Sequence, residues 1–129
     1  MPEVMITKEI TKRKIFHANI ANASAISKYV DGVSTEWVGM FRYRMSDAES
    51  ARYGICNVLF LTNDSSQDAE LRFFTSINGT APKLLLKAKS TISISIDDGI
   101  NFYAFDIMNM DTVTDISIGS IHGYVAVVR

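Results

Sequence analysis

The sequence predicts an all-β protein, an antiparallel β-sandwich of the jelly-roll type with about nine short strands in a single domain spanning residues 1–129. Isoleucine alternates with serine or threonine from Thr91 to Ile96, and strict alternation places successive side chains on opposite faces of a strand. Asn-Gly at 78–79 and Asp-Gly at 98–99 each separate two β-rich runs, which is typical of hairpin turns. No helical pattern alternates with these runs, which disfavours a parallel α/β sheet.

The Asp-Gly pair predicts a hairpin in the most β-like part of the chain, in one of two registers. If residues 98–99 alone form the loop, Ile96 pairs with Asn101. If residues 97–99 form the loop, the glycine takes the left-handed position and Ile96 pairs with Ile100. We favour the three-residue loop, because Ile100 then joins the apolar face that the isoleucines form.

The segment 15–30 is ambiguous between a short helix and a strand. Its apolar residues recur at steps of three and four, which suits a helix. Its asparagines and serines compete with the helical backbone for hydrogen bonds, which disfavours a helix. We therefore favour a strand followed by a loop.

The remaining elements follow from alternation and from turn residues. Residues 46–52 and 63–68 are polar and predict loops, and residues 108–111 predict a turn. The run 54–62 is apolar on both faces, which predicts a central strand that is covered on both sides. Besides the hairpin arms, we expect strands at 4–10, 35–45, 54–62, 70–77, 83–89, 112–118 and 121–128.

Composition excludes several classes of protein. The chain has 129 residues, of which 47% are hydrophobic and 21% charged, so it can bury a core and is unlike a disordered protein. The net charge of -1 gives no global electrostatic argument for nucleic acid or an anionic membrane as a partner. No apolar run approaches the ~20 residues that span a membrane, and the N-terminus has no signal-peptide pattern. The single cysteine, Cys56, cannot form an internal disulfide and suits a buried position.

Catalytic and metal-binding motifs are not apparent. His17 and His122 have no metal-ligand spacing to each other or to Cys56, so we expect no metal and no cofactor. A small hydrolase could use two carboxylates across a cleft, and the candidates are Asp97, Asp98, Asp106, Asp111 and Asp115. Turns explain most of these aspartates, so we expect a protein that is not an enzyme.

The aromatic residues are the most suggestive candidates for binding. Trp37 and Tyr43 would share one strand face, Arg42 and Arg44 flank Tyr43, and Tyr103 lies on another strand. Aromatic faces beside polar groups bind sugars by stacking and also anchor protein interfaces, so these five residues form the predicted ligand-binding set. The alternative is that most of them fill the core.

Two strand faces carry more apolar residues than a single small core can cover. Val38 and Met40 lie opposite the Trp37 face, and Cys56, Val58 and Phe60 lie opposite Leu59 and Leu61. This surplus predicts a homo-oligomer that assembles through a sheet face.

The segment SINGTAPKLLLKAKSTISISIDDGINFYAFDI, with its short Ser/Thr/Ile strands and its Asn-Gly and Asp-Gly turns, resembles small β-sandwich domains of bacteriophage virions. Tail-fibre tips, tailspike tips and capsid decoration proteins are of this kind. The resemblance implies a non-enzymatic part of a symmetric assembly, often a trimer, which binds other virion proteins or a cell-surface glycan. It implies assembly in a host cytoplasm and location in the virion; a bacterial cytoplasmic protein is the alternative. A carbohydrate-binding module ranks second among the functions, and the hydrolase ranks third.

Overall fold

The computed structural model describes residues 13–75 and 82–129, and within these ranges the chain forms eight β-strands, one α-helix and two 3₁₀ turns. The strands are β1 (Lys14–Ala21), β2 (Phe41–Arg44), β3 (Val58–Asn63), β4 (Ala69–Phe74), β5 (Lys83–Leu86), β6 (Ser90–Ile94), β7 (Ala104–Asn109) and β8 (Ile121–Val128). The helix α1 is Asp47–Tyr53, and the 3₁₀ turns are Ser34–Glu36 and Ile96–Asp98.

The strands form two antiparallel sheets of four strands each. The first sheet has the order β1-β8-β3-β6, and the second has the order β2-β7-β4-β5. Every pair of neighbouring strands is antiparallel. The predicted all-β, antiparallel architecture is therefore confirmed.

The core lies between the sheets and draws side chains from both of them. Leu59, Leu61 and Val125 come from the first sheet, and Phe73 and Phe105 come from the second; all five are fully buried. The rings of Phe73 and Phe105 lie 6.0 Å apart between centroids, a separation at which aromatic pairs attract. Burying each of these side chains contributes about 1.5–3 kcal/mol to stability.

The hairpin predicted at Asp98-Gly99 is wrong in both registers. Residues 96–98 form a 3₁₀ turn that Gly99 ends at φ 70°, and the two flanking strands enter different sheets. On β6, Ile92 pairs with Leu61 and Ile94 with Leu59, whereas β7 pairs with β2 and β4. The isoleucines of β6 pair with apolar residues of a strand that is distant in the sequence, so packing decides the pairing although the chain turns at Gly99.

The long strand predicted at 35–45 is also wrong in its first half. Ser34–Glu36 is a 3₁₀ turn, Trp37 has a left-handed backbone at φ 59° and ψ 35°, and the strand begins only at Phe41. A left-handed residue turns the chain out of the extended path. Side-chain alternation in the sequence carries no signal for that turn.

The polar segment 46–52 was predicted as a loop, and most of it is helix α1. The Ser46 hydroxyl accepts a hydrogen bond from the backbone N–H of Glu49, and the Glu49 carboxylate accepts one from the N–H of Ser46. This reciprocal capping box satisfies two backbone donors that a helix start leaves unpaired. The spacing Ser-x-x-Glu was visible in the sequence.

The segment 112–118 is a loop rather than the predicted strand. The Asp111 carboxylate accepts hydrogen bonds from the N–H groups of Val113 and Thr114, and only Ile116 makes a β-bridge, to Ile26. Side-chain hydrogen bonds of this kind compete with sheet pairing. The predicted turn at 108–111 begins later than expected, because β7 continues to Asn109.

Two predictions on other strands have clearer outcomes. Segment 15–30 is a strand followed by a loop, as favoured. Strand β3 lies centrally in its sheet, but Phe60 is 38% exposed, so the expected cover on both sides is wrong within this chain. The predicted strand at 4–10 and the turn at 78–79 lie outside the described residues. Strands β4 and β5, which flank that turn, pair with each other.

Candidate functional site

The outer face of the second sheet carries a row of charged side chains that crosses all four strands. Arg42 on β2 pairs in register with Asp106 on β7, Asp106 with Arg72 on β4, and Arg72 with Lys83 on β5. Strict register places the four side chains on the same face of the sheet. We call this set the charged row.

Asp106 is the centre of the charged row. Its side chain is 1% exposed and accepts hydrogen bonds from Arg42 Nε at 2.6 Å, Arg42 Nη2 at 3.0 Å and Arg72 Nη2 at 2.6 Å. Burial of a carboxylate requires such pairing, because its charge loses the hydration of water. Asp106 therefore fixes the positions of two guanidinium groups on the sheet surface.

Aromatic rings separate the cations of the charged row. Arg72 Cζ lies 4.5 Å from the ring centroid of Trp37 and 4.8 Å from that of Phe74. Arg42 Cζ also lies 5.1 Å from the ring centroid of Phe74, and Lys83 Nζ lies 5.9 Å from that of Trp37. Cations at such distances are attracted to the electron-rich ring face, by about 0.5–1 kcal/mol at exposed sites. Cations and rings thus alternate along this face.

Trp37 stands at the end of this series, beside an open pocket of about 540 Å³. Its left-handed backbone costs a non-glycine residue about 1–3 kcal/mol, and such strain concentrates at functional sites. Glu70 on β4 and Lys83 line the pocket together with Tyr29. The full lining is Tyr29, Thr35, Trp37, Glu70, Lys83, Met108, Met110 and Thr112.

The pocket offers both charged and uncharged polar groups. Within the described residues the half-buried Glu70 carboxylate has no hydrogen bond and no ion pair, so its oxygens are open to an incoming donor. Burial, together with the nearby carboxylates of Asp31 and Glu70, raises the pKa of Tyr29, which keeps its hydroxyl protonated. An aromatic wall, a carboxylate, an ammonium group and a hydroxyl therefore converge on one cavity.

Four of the five residues predicted to bind ligand meet on this face. Trp37 and Arg42 belong to the series of rings and cations. Tyr103 immediately precedes β7 and its ring lies 6.3 Å from the Phe74 ring, and Arg44 Cζ lies 5.6 Å from the Tyr103 ring. Arg44 also contacts the exposed carboxylate of Asp47 at 3.3 Å. The set is thus a real cluster, although its members come from separate elements.

Tyr43, the fifth residue of the predicted set, does not belong to this cluster. Its ring packs on the inner face against Phe105, 5.7 Å away between centroids. Its hydroxyl is buried without a hydrogen-bond partner among the described residues. Burial raises the pKa of Tyr43, and the negative charges of Cys56 and Glu49 raise it further. The residue fills the core.

Sequence reasoning missed the residues that β4 contributes. Glu70, Arg72 and Phe74 alternate with the buried Leu71 and Phe73, so their outward position was readable from the strand pattern. Their neighbours on other strands were not readable, because register between distant strands depends on the complete fold.

The outer face of the first sheet has a different character. The rings of His17, Tyr124 and Phe60 lie side by side on adjacent strands, with centroids 5.1 Å and 5.6 Å apart. Val58 is half-buried beside them, and Ile15 is 39% exposed. Val38 lies in the loop before β2 rather than on a strand, and Cys56 is buried in the core. Only part of the predicted apolar surplus therefore faces outward.

Three of the aspartates that were candidates for a hydrolase accept hydrogen bonds from backbone N–H groups. Asp98 accepts a hydrogen bond from the N–H of Ser95, Asp115 from the N–H of Lys28, and Asp111 from its own loop. In residues 13–75 and 82–129 no three His, Cys, Asp or Glu side chains are grouped so as to hold a metal ion. Over the same ranges no helix is long and apolar enough to cross a membrane.

Comparison of the chain with known protein families, with curated proteins and with solved structures finds no match.

Proposed function

We propose that the protein is a non-enzymatic structural or receptor-binding β-domain of a viral (phage) particle, and that it binds a cell-surface glycan through the outer face of its second sheet. The observation that carries the proposal is the pocket beside Trp37. Sugars bind where an aromatic ring offers a stacking face and where neighbouring side chains supply donors and acceptors for hydroxyl groups. The indole of Trp37, the Glu70 carboxylate and the Lys83 ammonium group provide these three elements.

Strand pairing supports the jelly-roll fold within this proposal. The paired strands include β1 with β8, β2 with β7, β3 with β6, and β4 with β5. In this pairing the first strand pairs with the last, the second with the last but one, and so on inward to β4 and β5. The same pairing results when one long hairpin, with β4 and β5 at its closed end, folds over into two sheets. Jelly rolls are the architecture of many viral capsid domains and lectins. The sequence of residues 76–107, with its alternating Ser/Thr/Ile residues and its Asn-Gly and Asp-Gly pairs, resembles small β-sandwich domains of bacteriophage virions. This resemblance supports the same assignment and a location in the virion.

A glycan array tests the proposal. Trp37→Gly removes the ring and suits the left-handed backbone, so the fold should survive the change. We expect the variant to lose at least about tenfold in affinity for the glycans that the natural protein binds. Val38→Ser, at an exposed neighbouring residue, is the matched control and should bind normally. Glycan binding that survives Trp37→Gly unchanged would refute the assignment of the site.

Assembly through the outer face of the first sheet is part of the proposal, with a trimer favoured. The rings of His17, Tyr124 and Phe60 provide an apolar surface of the kind that homo-oligomers bury. Light scattering on a size-exclusion column should give the mass of a trimer for the natural protein and a smaller mass for Phe60→Ser. A monomeric natural protein that still binds glycan through Trp37 would favour the alternative, a carbohydrate-binding module outside any particle.

A further inference from the structure

The second sheet concentrates positive charge on a chain that is slightly acidic overall. The charged row contains three cations, Arg42, Arg72 and Lys83, but only one carboxylate, that of Asp106, which pairs with the two arginines. Lys83 forms no ion pair with any residue in the described ranges. The full sequence carries a net charge of -1, so this excess is local and faces outward beside the pocket.

The two guanidinium groups of the charged row are held in place before any ligand arrives. Asp106 takes both Nε and Nη2 of Arg42 and Nη2 of Arg72, which leaves Nη1 of each guanidinium without a partner in the described part of the chain. Stacking against Trp37 and Phe74 restricts the same side chains further. A preorganised guanidinium loses little conformational entropy when it binds a carboxylate or a phosphate.

From this arrangement we infer that the ligand of the pocket is an acidic glycan, a sugar chain that carries carboxylate or phosphate groups. The inference rests on the proposed glycan-binding function and names the class of glycan. One sugar ring stacks on Trp37 and offers hydroxyl hydrogens to Glu70. The anionic group of the same or the next sugar lies over Lys83 and Arg72, away from the Glu70 carboxylate.

Two observations favour a glycan over single-stranded nucleic acid, the other polyanion that rings and cations bind. Successive bases need a series of open rings for stacking, yet Phe74, the ring next to Trp37 along this face, is half-buried with Arg42 and Arg72 both placed over it. Trp37, the ring that lines the pocket, stands beside the Glu70 carboxylate, which repels a continuous phosphodiester backbone. Sugar hydroxyls, in contrast, are suitable donors to that carboxylate.

Matched pairs of glycans test the inference by calorimetry with the full chain. The probes are polygalacturonate against its methyl ester, 3′-sialyllactose against lactose, and mannose 6-phosphate against mannose. We expect at least one acidic member to bind about tenfold or more tightly than its uncharged counterpart, with affinity that falls as salt rises. The pair that responds distinguishes a carboxylate from a phosphate as the bound group.

Lys83→Gln and Lys14→Gln form the pair of variants. Both remove one exposed lysine that lies over an aromatic ring, but Lys14 lies over Tyr124 on the first sheet. We expect Lys83→Gln to lose about tenfold in affinity for the acidic probe and clearly less for its uncharged counterpart, because the glutamine amide can still donate to sugar hydroxyls. Lys14→Gln should behave as the natural protein, which separates a specific contact from an effect of net charge.

Each contrary outcome has a distinct meaning. Equal affinity for the acidic and uncharged members of every pair would overturn the acidic class while leaving glycan binding intact. Absence of binding to these probes and to a glycan array would overturn the proposed function together with the inference. Tighter binding to oligothymidylate than to any glycan, with loss in Lys83→Gln, would overturn the inference in favour of single-stranded nucleic acid.

Discussion

Asp106 is the buried carboxylate that holds Arg42 and Arg72 on the outer face of the second sheet. Its replacement tests whether these ion pairs stabilise the fold. Asp106→Ala removes three charge-assisted hydrogen bonds and leaves Arg42 and Arg72 unpaired. Removing one partner of a buried ion pair costs about 3–5 kcal/mol. The side chain of Arg42 is 55% exposed and can regain hydration, whereas Arg72 is 24% exposed. We therefore expect the free energy of unfolding to fall by about 3 kcal/mol, at the lower end of that range.

Denaturant unfolding measures this loss. The midpoint should fall while the slope with denaturant stays constant, because the surface exposed on unfolding does not change. In a thermal scan the same loss lowers the midpoint by about 10 °C for a domain of this size. Asp47→Ala is the matched control, since Asp47 also contacts an arginine but is 98% exposed. Solvent screens that pair, so we expect no measurable change.

A second variant separates unpaired charge from lost packing. In an Arg72→Met background, Asp106→Ala leaves only the half-exposed Arg42 without its partner. The cost of the change should then be clearly smaller than in the natural protein, because residues of one ion-pair network couple. A cost under about 1 kcal/mol in the natural protein, or an unchanged cost in the Arg72→Met background, would refute our account of Asp106.

Two further predictions concern the core and the first sheet. Burial raises the pKa of Cys56 from 9.0 to about 12, so the folded protein keeps the thiol proton at pH values at which the unfolded chain loses it. The stability that this shift contributes is complete below pH 9 and is lost as pH rises towards 12. The loss is at most about 1.4 kcal/mol per pH unit. Chemical denaturation at pH 8 and at pH 11 should show a smaller drop in Cys56→Ala, and equal drops would contradict the prediction. Gly123→Ala places a methyl group against the backbone carbonyl oxygen of Phe60, so we expect the free energy of unfolding to fall by about 2 kcal/mol or more from strain between β3 and β8. Gly39 has open space around it, and its φ of 72° is the only feature that disfavours alanine. Gly39→Ala should therefore lose about 1 kcal/mol. Equal losses in the two glycine variants would show that steric overlap at β3 is not the cause.

Part of the candidate site was predictable from residue types alone. Trp37, Arg42, Arg44 and Tyr103 were selected because aromatic faces beside polar groups bind ligands, and the structure brings these four residues to one face. The inward turn of Tyr43 was not predictable, because the sequence pattern placed it in phase with Trp37 on one long strand. That strand is interrupted at Trp37, which breaks the phase between the two residues.

The central hairpin shows where local signals fail. Asp98-Gly99 is a valid turn signal, and the chain does turn there, with Gly99 in the left-handed conformation that the favoured three-residue loop required. A turn signal specifies the backbone at the turn but does not specify which strand each arm will pair with. Pairing follows from burial of apolar faces, so Ile92 and Ile94 join Leu61 and Leu59 instead of the following arm.

The sequence by itself determined the all-β class and most of the strand segments, because the side-chain period of a strand is a local property. It also indicated a central position for β3. Only the tertiary structure decided that Arg42, Asp106, Arg72 and Lys83 form one row, since these residues come from four strands as far as 64 positions apart in the case of Arg42 and Asp106. Such a row depends on register between distant strands, and register is fixed only when both sheets close on their common core.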